Sequence, residues 1–136
     1  MKKKMKILAV VCSMALSGQA QVLFPQADLY DTGAMMMYIN AARETARARM
    51  ENYERCTDLA IEAYNNQQWS NAINYVNSAL ETGYQCGMLY YIRGFSYEGL
   101  GYLKNAKDDY KQAKKMNYAD AVAALARVEL RIKEQK

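Results

Sequence analysis

Residues 53–86, YERCTDLAIEAYNNQQWSNAINYVNSALETGYQC, run directly into residues 87–120, GMLYYIRGFSYEGLGYLKNAKDDYKQAKKMNYAD, and the second stretch restates the first at a period of 34 residues. Ala72 recurs as Ala106, Ala79 as Ala113 and Tyr84 as Tyr118, while Ala60 becomes Gly94, Trp69 becomes Leu103 and Val76 becomes Tyr110. The agreement falls on small and large apolar residues, the positions that packing controls. A period of this size indicates stacked helical hairpins, each unable to bury its apolar face alone. Arrays of that kind present extended binding surfaces, so the repeat bears on function as well as on fold.

Outward from the repeat, Ala34 to Thr82 contains neither glycine nor proline. Ile39, Ala42, Ala46, Met50, Tyr53, Cys56, Ala60 and Ala63 fall there at steps of three and four, the mark of one apolar helical face. The pattern fits either one helix over 34–65 or two that meet near Met50. Ala72, Val76, Ala79 and Leu80 predict a helix over about 69–81, closed by Gly83 as its C-cap. A second hairpin is predicted at about 87–99 and 103–116, turning at Gly99-Leu100-Gly101. The matching turn, Asn65-Asn66-Gln67, is expected to place an asparagine in the left-handed backbone region. A last helix over 119–134 carries Val122, Leu125, Val128 and Ile132, with Arg127, Arg131, Lys133 and Glu134 opposite, and reads as a solvating cap over 121–134. The expected fold is all-α: a short α-solenoid of two hairpins with an N-terminal helix and a C-terminal capping helix, in a single domain over 34–136.

The N-terminus has another character. Lys2, Lys3, Lys4 and Lys6 precede an apolar run from Ile7 to Leu16, then Ser17-Gly18-Gln19-Ala20, the three-part layout of a secretory signal peptide over 1–20. The apolar run is too short to cross a membrane, which takes about 20 residues. Residues 21–33, with the only proline at Pro25, read as an extended lead-in, and Asp31 and Thr32 are both suited to cap the helix after it. Val11 stands where a small residue is wanted for lipid attachment, which argues against a lipoprotein anchored through Cys12. The expected location is exported, periplasmic or extracellular, and no later stretch could span a bilayer.

The chain has 18 basic and 14 acidic residues, a net charge of +4. Four of those lysines lie in the targeting segment, so the chain after Ala20 is close to neutral. The electrostatic footprint of a nucleic-acid binder is missing. Lys111, Lys114 and Lys115 make a local patch, but Asp108 and Asp109 accompany them, as on a solvated helix face. Catalysis finds little support either. There is no histidine, the commonest general base and a frequent metal ligand. Cys56 and Cys86 lack the spacing of a zinc or thioredoxin-type centre. Glu62, Glu81 and Glu98 read as solvated carboxylates, and Gly94, Gly99 and Gly101 are accounted for by packing and turns rather than by a phosphate loop. The expectation is a non-enzyme with no cofactor and no metal.

The second unit, Leu89-Tyr90-Tyr91-Ile92-Arg93-Gly94-Phe95-Ser96-Tyr97 through Gly101, Ala106, Tyr110 and Ala113, resembles a tetratricopeptide repeat. The first unit departs from that pattern at Cys56 and Ala63, where aromatics are usual, and Tyr84 and Tyr118 stand where proline is frequent. Ala60 and Gly94 fall where the two helices of each hairpin meet, facing Ala72 and Ala106, so that backbones can approach. Trp69 is expected between the helices of the first hairpin.

The resemblance implies that the first helix of each hairpin lines a concave face. That face would carry Thr57, Ile61, Tyr64 and Asn65, then Met88, Tyr91, Phe95 and Glu98, extended by Leu125 and Glu129. The lysine and asparagine with which some family members clamp a terminal carboxylate are absent, so an apolar or aromatic-rich protein or peptide segment is the expected partner. The same arrangement brings Cys56 near Cys86, either bonded or as two buried thiols. The 34–50 helix either covers this face or leaves it open. It also supports an alternative, a self-associating structural envelope protein, a homo-oligomer pairing through that helix. Met35-Met36-Met37 cannot all face one side of a helix, so at least one should be exposed.

Overall fold

A computed structural model describes residues 32–136. The predicted signal peptide over 1–20, Cys12, Asp31 and all but the last two residues of the predicted lead-in lie outside the described residues. The described chain is all-α: α1 (Thr32–Asn65), α2 (Trp69–Glu81), α3 (Gly87–Gly99), α4 (Leu103–Lys115) and α5 (Asp120–Glu134), with no strand among these residues. Helix therefore begins at Thr32, so the extended lead-in does not reach residue 33. α1 is one helix, not two meeting near Met50. The chain divides into two compact units, and the boundary falls inside α1, between Ala48 and Arg49.

In the first unit Met36 and Met37 are exposed, at 53% and 74%, and Met35 is half-buried. Three successive residues on a helix point in directions about 100° apart, so this split follows from the run itself.

The second unit carries the repeat, and its backbone repeats as its sequence does. The four residues with positive φ are Gln67 (56°), Gly83 (90°), Gly101 (85°) and Asn117 (61°), two pairs each separated by the sequence period. The turn bonds recur in step. Gln68 N–H donates to the Ala63 carbonyl as Tyr102 N–H does to that of Tyr97, both at 2.8 Å. Gly83 N–H donates to Leu80 as Asn117 N–H does to Lys114, both at 3.0 Å. Gly83 ends α2 as expected. In the first turn, however, the left-handed residue is Gln67 and not an asparagine. It is the residue that must accept the bend because it occupies the place of Gly101. A left-handed conformation costs a side-chain-bearing residue about 1–2 kcal/mol. Gln67→Gly is accordingly expected to raise stability by up to about 1 kcal/mol, the entropy of the unfolded glycine offsetting part of the gain. A denaturant midpoint at or below wild type would contradict this.

Two apolar clusters hold the unit together. Cys56, Ala60 and Ala63 of α1 meet Ala72, Val76 and Ala79 of α2 and Leu89 and Ile92 of α3 in the first. Leu103, Ala106 and Tyr110 of α4 meet Ala124 and Val128 of α5 in the second, with Tyr91, Phe95, Leu125 and Ile132 packed against them. The small residue of the second hairpin, Gly94, is closest to Tyr110 and Asp109 rather than to Ala106: a Cβ there would lie 3.0 Å from the Tyr110 ring and 3.2 Å from the Asp109 Cβ. This explains a paired change between the repeats. Where Val76 becomes the larger Tyr110, Ala60 becomes Gly94, and close packing is kept.

Two further expectations are corrected. Asp109 is not on a solvated face. It is buried, and Arg93 Nε and Nη2 donate to its two oxygens at 2.8 Å each while Arg93 Nη1 donates to Asn77 of α2 at 2.7 Å. It shares one helical face with Ala106, Tyr110 and Ala113, whose spacing carries it inward. Trp69 is not confined to the first hairpin. Its ring lies 5.6 Å from Phe95, and its indole sits on Gly99, where a Cβ would come within 2.8 Å of Nε1.

Candidate interaction face

The predicted contact residues Tyr64, Phe95 and Tyr91 form one connected row of rings. Tyr64 meets Phe95 edge-on at 5.2 Å between centroids, and Phe95 meets Tyr91 at 6.2 Å. The row extends at one end to Trp69, 6.3 Å from Tyr64, and at the other to Tyr118, 5.0 Å from Tyr91. All five rings are half-buried, each keeping part of its surface in solvent. Edge-to-face and tilted ring pairs contribute beyond their buried area, which makes the row stiff as well as apolar. Ile61 and Met88, also predicted contacts, are half-buried against the first cluster, and Asn65 is exposed. Burial raises the Tyr91 hydroxyl above its usual range, helped by Tyr64 and Asp120 and opposed by Arg127. Trp69 and Tyr118 were not foreseen here. The period gives no signal for it, since Trp69 matches Leu103 and Tyr118 matches Tyr84.

Glu98, the last predicted contact, has its carboxylate taken up inside the protein and is not a solvated group. Tyr110 Oη donates to Oε2 at 2.8 Å. Arg127 donates from Nε to Oε1 at 3.0 Å and from Nη2 to Oε2 at 2.8 Å, and Arg131 Nη1 donates to Oε1 at 2.9 Å. The carboxylate side chain is only 10% exposed, whereas Arg127 and Arg131 are 47% and 45% exposed. Burial pushes the Glu98 carboxyl up, but the donors Arg127, Tyr110 and Arg131 outweigh it, so the group is held below its usual range. The same bond from Glu98 raises Arg127, and burial followed by Glu98 raises the Tyr110 hydroxyl.

A carboxyl whose folded value is depressed adds stability that is complete above its unfolded value, near 4.3, and is lost as pH falls through the folded value. Acidification below about pH 4 should therefore weaken the hold of α5 on α3. Glu98→Gln is expected to flatten the stability-against-pH curve between about pH 5 and pH 2, read by urea melts at each pH. A slope unchanged from wild type would contradict it.

The predicted extension of the face lies on α5. Glu129 pairs with Lys107 of α4 at 3.2 Å, and Leu125 packs against the second cluster. The residues of α5 that reach toward α3 are Arg127 and Arg131, about half a helical turn away from Glu129 and Leu125. They were expected on the solvated side.

Cys56 and Cys86 are both free thiols, so the structure does not contain the bond that the resemblance allowed. Cys56 is buried with Sγ 3.7 Å from Asn52 Oδ1 on its own helix. Cys86, in extended backbone just before α3, lies beside Tyr53, whose hydroxyl is pushed up to about 12 by burial and then by its bond with Cys86. Each thiol is thus engaged with a different residue of α1. A cavity of about 400 Å³ opens between Asn52, Arg55 and Cys56 of α1, Ser78 and Glu81 of α2 and Thr82 just after it, and none of the row's aromatic residues lines it. Among the described residues no group of three or more His, Cys, Asp or Glu side chains is placed to hold a metal ion, and no helix is long and apolar enough to cross a membrane.

No family model, curated protein or solved structure matches this chain.

Proposed function

We propose that this chain is a small exported helical-repeat protein of tetratricopeptide type, a non-enzymatic scaffold that holds a segment of a protein partner against the face formed by α3 and the end of α1. The observation that carries the reading is the connected, half-buried ring row Trp69–Tyr64–Phe95–Tyr91–Tyr118. Rigid aromatic side chains with part of their surface in water are the type that dominates binding energy at interfaces. The recurrence of turns and left-handed residues at the sequence period supports the repeat architecture on which the face depends.

The test is affinity capture from the native envelope with the chain from Gln21 onward, alongside a Tyr91→Ala/Phe95→Ala variant shown by circular dichroism to be folded. A protein recovered by the first and lost by the second is expected; equal recovery would contradict the face.

The exposed Met36 and Met37 favour a second reading, a structural protein that pairs with another copy through the 34–50 helix. Methionine adapts to irregular partners. Sedimentation over a range of concentrations separates the two, since a strict monomer excludes self-association.

A further inference from the structure

The Glu98 cluster is unbalanced in charge. Two guanidinium groups share one carboxylate, and among the described residues neither arginine pairs with another acid. Arg127 spends Nε and Nη2 on Glu98 and Arg131 spends Nη1, which leaves Nη1 of Arg127 and Nε and Nη2 of Arg131 as donors without a protein acceptor. Both side chains are nearly half-exposed. Glu98 holds them in place from the protein side, so their conformational entropy is already reduced before a ligand arrives. Tyr110, bonded to the same Glu98 carboxylate, has its ring 5.7 Å from that of Tyr91, and Tyr91 stands 6.2 Å from Phe95. A preordered, net positive pair of forks therefore borders the apolar row.

We propose that Arg127 and Arg131 together accept a carboxylate of the bound segment, so that the partner carries an aspartate or glutamate beside the apolar side chain that packs on Tyr91 and Phe95. This rests on the reading that the ring row receives a protein segment. Guanidinium forks match carboxylates in geometry, and such charge-assisted bonds exceed neutral ones in strength. The one surplus positive charge of Arg127 and Arg131 over Glu98 suits a single acidic side chain and not the dense charge of a nucleic acid.

The probes are three pools of fluorescein-labelled peptides titrated against the whole chain. One places Asp or Glu next to Leu, Phe or Tyr; the others carry Asn or Gln, and Lys, at the same places. The acidic pool is expected to bind about fivefold or more tighter than the amide pool, a difference that shrinks as salt rises. Arg131→Gln, which leaves the two Arg127 bonds to Glu98 in place, is expected to bring the acidic pool down to the binding of the amide pool, with circular dichroism showing the helices retained. Equal binding of the acidic and amide pools would overturn the proposal, as would a preference that survives in Arg131→Gln. If no pool binds wild type, the reading of the ring row itself fails and the proposal with it. An oligouronate that binds through Arg131 while the pools show no acidic preference would assign the arginines to an anionic glycan, and would equally overturn it.

Discussion

Asp109→Ala is expected to lower stability by about 2–4 kcal/mol, below the full cost of breaking a buried ion pair because Arg93 keeps some contact with water. The side chains of Arg93 and Asp109 are 21% and 9% exposed, and their two parallel bonds of 2.8 Å form a fork of the strong, charge-assisted kind. The bond to Asp109 and its charge hold the Arg93 guanidinium above its usual range against the opposing effect of burial. Without the carboxylate, a mostly buried cation keeps only Asn77 and the face of the Tyr90 ring, 5.5 Å away. For a domain near 100 residues the loss corresponds to a fall in Tm of about 10–20 °C. Because the cost arises from the stranded charge, Arg93→Met/Asp109→Leu should recover most of it. A single-variant loss below about 1 kcal/mol by urea titration would show that Arg93 finds water instead.

Ala106→Leu is expected to cost about 1–3 kcal/mol by overpacking. Ala106 has no exposed surface, and the cluster around it is closed by the equally buried Tyr110 and Val128. Three added carbon atoms must displace a ring or separate α4 from α5. Ala126→Leu on exposed backbone of α5 is the control, expected within about 0.5 kcal/mol of wild type. If both variants melt like wild type, Ala106 does not lie at the contact.

The two repeat units were legible because packing leaves a periodic trace. Ala72 and Ala106, Val76 and Tyr110, and Ala79 and Ala113 are all fully buried, and the predicted bounds of α2 and α3 agree with Trp69–Glu81 and Gly87–Gly99. Three rings of the candidate face, Tyr64, Tyr91 and Phe95, came instead from the resemblance to a tetratricopeptide repeat, which assigns inward positions to the first helix of each hairpin. Gln67 misled because a left-handed position is demanded by the turn, and the turn takes the residue that the register supplies. Asp109 misled because Asp108 and Lys111 beside it in sequence read as a solvated patch, whereas its own carboxylate is buried and paired with Arg93, and its Cβ packs beside Gly94.

By itself, then, the amino-acid order determined an all-α chain, the places of its helices and turns in the repeat, and which small residues pack. Only the tertiary structure decided that Arg93 joins Asp109, that Arg127 and Arg131 converge on Glu98 from 29 and 33 residues away, and that Trp69 rests on Gly99 of the next hairpin. The reason is physical. Burial recurs with the turn of the helix and can be read along the chain, but a hydrogen bond between side chains on different helices depends on how those helices meet, and leaves no period behind.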